Sequence, residues 1–210
     1  MKSLKLAILF FALGIFAFAN ERSMDSVFAS LTENAVTSGD FLQEKTSAKL
    51  KKPLKSSGTF VFSRDGIIWK TLKPFPSTMA VTKDSIIQRG ADGKKTVLDG
   101  SSSEIFKTVA ASLSAIFSGN QAGIEEHFSI KSFSSNKNSW NLVLSPKDST
   151  VASAISKIEL SGISESEKTK KATLESLKIV QGDSNVTTYT LLNQTYKQEL
   201  SSDEKSLLSK

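Results

Sequence analysis

The sequence predicts a mainly β (α+β) fold: one antiparallel sheet whose open face is covered by helix. Three observations predict it. Between Phe41 and Phe75, three β-rich runs follow one another with turn residues between them. Short runs of the same kind continue to Leu98 and resume from His127 to Leu192. Between them, the stretch after Ser101 changes to helical spacing.

The chain opens with Met1-Lys2-Ser3-Leu4-Lys5, then an almost wholly apolar Leu6 to Phe18, then Ala17-Phe18-Ala19. A positive start, an apolar run and a small-x-small site make a secretory signal peptide over 1–19, cut between Ala19 and Asn20. The run is too short for a comfortable transmembrane helix of about 20 residues. The mature protein is expected to be soluble outside the cytoplasm, as a single domain over 20–210. There is no cysteine, so no disulfide supports the core. Loss of Lys2 and Lys5 with the signal leaves 25 basic and 21 acidic residues, a formal +4. This mild excess is compatible with a transient membrane-surface contact. The lysines are scattered along the sequence and make no nucleic-acid signature.

Ser23 caps a first helix with Met24, Val27, Phe28 and Leu31 on one stripe, and Gly39 is read as its stop. Pro53 is read as an edge or bulge within the first strand. Asp65-Gly66 separates Phe60-Val61-Phe62 from Ile67-Ile68-Trp69, a hairpin signal. Apolar side chains occupy both alternating sets there. Such a strand must be covered on both faces or give one face to a ligand. Met79–Thr82, Ser85–Gln88 and Lys95–Leu98 continue as an up-and-down meander. Ser101 and Glu104 resemble a capping box, and Phe106, Val109, Leu113, Ile116 and Phe117 recur at helical spacing up to Ser118-Gly119-Asn120. That helix is expected to lie across the sheet as a plug or lid. Strands resume at His127–Phe133, Trp140–Pro146, Ile155–Leu160, Leu174–Val180 and Val186–Leu192. Ser161–Lys171 reads as a mobile hairpin tip, and the tail from about residue 200 as a short helix or disorder.

Catalytic chemistry has little support. His127 is the only histidine, and no Gly-x-Ser-x-Gly elbow accompanies it. No metal site, no cofactor and no phosphate-binding glycine loop is expected. The expectation is a protein that is not an enzyme and that binds through apolar surface.

Taken in order, Phe41-x-Gln43, Ser57-Gly58-Thr59-Phe60-Val61-Phe62, Ile68-Trp69 with Pro74, Trp140-x-Leu142-x-Leu144-x-Pro146 and Gly182-Asp183 resemble the periplasmic outer-membrane lipoprotein carrier (LolA-like) family over nearly the whole mature chain. The resemblance implies an incomplete antiparallel β-barrel with helices as a lid. It implies a carrier that takes acylated lipoproteins from an inner-membrane ATP-driven (ABC) releaser to an outer-membrane receptor. The alternatives are a carrier of another lipid or acyl product, or a non-enzymatic envelope scaffold or sensor that binds a protein partner. The expected acyl-chain cavity comprises Phe60, Phe62, Trp69, Leu72, Ile86, Leu98, Trp140, Leu142 and Leu144 on the sheet, facing the lid residues named above. Better-studied members bear a lid-bonding arginine before a proline, ahead of the tryptophan. Arg64, five residues before Trp69, is either the counterpart of that lid contact or only a hairpin-turn charge, since Asp65-Gly66 follows it and no proline does.

Overall fold

The computed structural model describes residues 22–82, 85–99, 108, 115, 121–166, 170–182 and 185–209. The signal peptide and the lid residues Phe106, Val109, Leu113, Ile116 and Phe117 lie outside them, as does the capping box. Thr108 and Ala115, which flank part of that segment, are helical and buried.

Eleven antiparallel strands form one sheet that does not close: β1 (Val36–Thr46), β2 (Leu54–Ser63), β3 (Gly66–Lys73), β4 (Ser77–Val81), β5 (Ser85–Arg89), β6 (Lys95–Asp99), β7 (Phe128–Ser135), β8 (Ser139–Pro146), β9 (Ile155–Ile163), β10 (Ser176–Gln181) and β11 (Asn185–Lys197). Their spatial order is β6-β5-β4-β3-β2-β1-β11-β10-β9-β8-β7. Two meanders therefore meet where the first strand pairs with the last, from Val36 opposite Lys197 to Thr46 opposite Val186. A bulge interrupts that seam between Ser38 and Asp40. Gly39 sits in it: a Cβ there would come within 2.5 Å of the Leu192 carbonyl oxygen and 3.0 Å of the Phe60 ring. The glycine read as a helix stop is thus a close-approach site inside β1.

The first helix, α1 (Met24–Leu31), begins as expected. Ser23 accepts a hydrogen bond from the Ser26 N–H, and Val27, Phe28 and Leu31 are buried. It ends at Thr32, before Gly39. Pro53 lies in the loop before β2 rather than within a strand. A short helix, α2 (Gln121–His127), precedes β7, so His127 closes a helix instead of opening a strand. Another, α3 (Ser149–Ala154), links β8 to β9, with the Asp148 carboxylate accepting from the Val151 N–H.

The segment expected as a mobile tip is anchored. Residues 161–163 belong to β9. Beyond them Arg22 donates to the Ser164 carbonyl at 2.8 Å and pairs with Glu165, and Lys171 pairs with Glu33. Ala172 and Leu174 enter the main core.

α1 and most of the core lie on one face of the sheet, here the inner face, where Phe41, Phe60, Phe62, Ile67, Val81 and Ile86 join Leu142, Leu144, Ile158 and Leu160. The alternate residues Ile68, Ala80 and Ile87 form a second cluster on the reverse face. Its cover is the tail, which folds as α4 (Ser202–Leu208) and lays Leu207 and Leu208 on that cluster beside Val61. Ser201 and Glu204 make a reciprocal capping box, and Lys197 pairs with Glu204. Arg89 ties the helix down by donating to the Leu207 carbonyl at 3.3 Å. Gly66, at φ 154°, makes room for it: a Cβ would meet the Val81 carbonyl oxygen at 2.3 Å and Leu208 at 2.9 Å. The hairpin loop itself is Arg64-Asp65, with Ser63 paired to Gly66.

Ile87→Ala is expected to cost about 2–4 kcal/mol in urea unfolding, because Ile87 is fully buried. The double change Leu207→Ala and Leu208→Ala should cost less, about 1–2 kcal/mol, since both are partly exposed.

Candidate functional site

In β2 and β3 the even residues of one strand face the odd residues of the other. Phe60 pairs with Trp69 and Phe62 with Ile67, all on the inner face. Trp69 pairs onward with Met79, and Ile67 with Val81, which in turn faces Ile86. On the other side of β2, Phe41 stands opposite Gly58. A Cβ at Gly58 would lie 1.9 Å from the Lys70 carbonyl oxygen and 2.9 Å from the Phe41 ring, so the glycine lets that ring lie flat on the sheet.

The result is a continuous aromatic surface. Phe41 and Trp69 have ring centroids 4.3 Å apart, Phe60 and Phe62 are 4.7 Å apart, and Tyr189 meets Trp69 edge-on at 4.9 Å. Phe41, Phe60 and Phe62 are buried, but Trp69 and Tyr189 remain partly uncovered. Met79, Ile130, Phe133 and Ile179 share that state along the edge of the same cluster. Burial raises the Tyr189 hydroxyl above its ordinary value. An incompletely covered band of large, soft apolar side chains can accept an apolar ligand with little rearrangement.

The structure brings together Phe60, Phe62, Trp69 and Ile86 as the sequence suggested. Leu98 pairs with Ile86 through the backbone; its side chain is outside the described residues. Leu72 departs from the set. It is three residues from Trp69, an odd spacing that puts the two on opposite sides of a strand, and it is 46% exposed beside the bulge at Ser57/Gly58. Trp140, Leu142 and Leu144 occupy the inner face of the other wing and are fully buried. Trp140 has a structural partner: its indole N–H donates to the Thr173 carbonyl at 3.0 Å, over Gly162 on the neighbouring strand. A Cβ at Gly162 would sit 1.8 Å from that same carbonyl oxygen. Arg64 is exposed in the β2–β3 turn. The lid it would contact is outside the described residues.

Sequence reasoning passed over Met79 and Tyr189. The signal for both was there. Met79 is two residues before Val81, and Tyr189 alternates with Thr187 and Leu191. A separate cleft of about 260 Å³ lies on the reverse face of β8–β10. Asn141, Val143, Glu159, Ser161, Ser176 and Lys178 line it with parts of Leu142 and Leu160, a mixed set without the rings of the aromatic band. Glu159 is held below the usual carboxylate range by its hydrogen bond to Lys157, opposed by burial and assisted by Lys178. Among the described residues, no three His, Cys, Asp or Glu side chains group to hold a metal.

A profile of the family described as outer membrane lipoprotein carrier protein LolA-like matches residues 17–197. The chain belongs to this LolA-like family. No curated protein matches it by sequence. Among solved structures it is similar to a DUF1329 family protein from Desulfovibrio piger, with a TM-score of 0.51 at 12% identity over 87% of this chain and 95% of that one. A LolA superfamily protein from Nitrosomonas europaea gives 0.44 at 10% identity, covering 88% and 98%. The lipoprotein LppX from Mycobacterium tuberculosis gives 0.37 at 13%, covering 85% and 99%. The open sheet with its helices fits the LolA-like fold.

Two outcomes are expected. Trp140→Phe leaves the Thr173 carbonyl without its donor and should cost about 1–3 kcal/mol in chemical unfolding. Tyr189 keeps its proton more firmly folded than unfolded, so its contribution is complete below about pH 10 and is lost as pH rises through the folded value. Tyr189→Phe should therefore move the midpoint of alkaline unfolding to higher pH.

Proposed function

We propose that this LolA-like protein is a periplasmic carrier that shields the acyl chains of lipoproteins on the inner face of its sheet and passes them from the inner to the outer membrane. The observation that carries the reading is the partly uncovered aromatic band of Trp69, Tyr189 and Met79 on a LolA-like sheet that stays open. Burying one methylene is worth about 0.8 kcal/mol, so one long acyl chain offers roughly 10 kcal/mol. That is ample to keep the chain from water. A partly uncovered band of soft side chains, and not a tightly fitted core, keeps release within reach. The reading needs no catalytic group. The donor is an inner-membrane ATP-driven releaser, and the acceptor is an outer-membrane receptor.

A second reading has support in one place. Arg64 is followed by Asp65-Gly66 and not by a proline, which departs from the lipoprotein carriers the sequence resembles. On that reading the same face carries another lipid or acyl product.

Native and denaturing mass spectrometry of the chain purified from the periplasm separates the two. Acylated peptides bound to it are expected. A free lipid would favour the second reading, and clean protein that no fatty acid stabilises would overturn both. Trp69→Ala is expected to weaken binding of a fluorescent acyl probe by about tenfold, the loss of roughly 1.4 kcal/mol of apolar contact. Ile87→Ala, on the reverse face, should leave probe affinity unchanged in the folded fraction.

A further inference from the structure

Lysines scattered along the sequence are gathered by the fold. The alternating strands β1 to β6 bring three loops, 47–53, 74–76 and 90–94, to one end of the sheet. Lys49, Lys51 and Lys52 lie in the first, Lys73 borders the second, and Lys94 and Lys95 stand at the third, all exposed. None of the six forms an ion pair among the described residues. Lys55, beside them, pairs with Glu44. Asp92 is the sole carboxylate in the three loops and accepts from the Lys94 backbone N–H at 3.0 Å. At the opposite end, Arg22 pairs with Glu165 and Lys171 with Glu33.

The basic end also carries the most exposed aromatic ring among the described residues. Phe75 stands between Pro74 and Pro76 and is 81% exposed. Leu54 is 57% exposed at the start of β2, which the pairing of Ser57 with Lys73 sets beside the end of β3. Prolines on both sides restrict the backbone, so placing this ring costs little entropy. An aromatic ring at a loop tip, ringed by unpaired ammonium groups, matches the chemistry of an anionic bilayer surface. The ring sits at headgroup depth and the ammoniums meet lipid phosphates.

We propose that this end of the sheet is a membrane-docking rim, in which Phe75 enters the headgroup layer of an anionic bilayer and the lysines bind its phosphates. The proposal stands on the three loops and holds whatever cargo the inner face carries. Attachment of this kind is reversible and weakens with salt.

The test is flotation of the exported chain with phosphatidylcholine vesicles, with and without about 30% phosphatidylglycerol, at about 0.1 M and about 0.5 M salt. Binding is expected on the anionic vesicles alone, and less of it at high salt. The double change Lys51→Glu and Lys52→Glu should lower partitioning at least about tenfold. Phe75→Ser should lower it several-fold, while Arg64→Glu at the other end leaves it unchanged. Phe75→Trp should gain quenching by bromine-labelled lipid over the parent chain. No preference for anionic vesicles would overturn the proposal. So would binding that the lysine reversals abolish but Phe75→Ser and the quencher leave untouched, which is adsorption of a basic surface without insertion. All these positions are exposed, and unchanged thermal unfolding of each variant secures the comparison.

Discussion

The β2–β3 hairpin is apolar on both sides, and the rest of the structure answers that constraint. A sheet segment with Phe60, Phe62, Ile67 and Trp69 on one face and Val61 and Ile68 on the other cannot leave either to water. The two faces are covered in different ways. The reverse face is sealed by α4, whose two leucines match a patch of three buried residues. On the inner face the core encloses Phe60 and Phe62 but stops short of Trp69 and Tyr189. One face is therefore finished by the chain itself, while the other retains a band of incompletely satisfied aromatic surface. The alternative of covering both or giving one to a ligand is resolved as one of each in the proposed carrier.

Glycines decide how closely the layers of this arrangement can approach. Gly58 admits the Phe41 ring, Gly162 admits the Thr173 carbonyl under Trp140, and Gly66 admits Leu208. In each case a methyl group would occupy space already held by backbone or ring. The positions are not interchangeable with alanine.

Much of this was legible in the sequence because strand parity is a strong constraint. Phe60, Phe62, Trp140, Leu142 and Leu144 fall on one face by simple alternation, and the structure keeps them there. Leu72, at an odd spacing from Trp69, stands outside. Other elements were illegible for definite reasons. A glycine marks both helix ends and close strand contacts, and nothing local distinguished the two at Gly39. The helix α4 spans seven residues and brings only two leucines, Leu207 and Leu208, to the cluster beneath it, too little for a periodic signal. His127 adjoins Phe128 at a helix–strand junction, where patterns of period two and 3.6 overlap. Which members of an apolar face stay uncovered depends on what packs above them. Tyr189 and Met79 could be placed on that face by alternation, but their exposure could not be read from it. The lysine-rich end was hidden in the same way, since only the reversal of successive strands collects residues from 49 to 95 at one end.

The seam between β1 and β11 has a bearing on how the protein is born. Each meander is built of neighbours in sequence and can zip locally. The seam joins Val36 to Lys197, so it must await residues made about 160 positions after the first strand begins. Until then the outer edge of β1 and the rows of Phe41 and Phe60 are open templates for other chains. Delayed closure makes the nascent protein a natural client for holding chaperones, with β11 as the strand whose pairing lets it go.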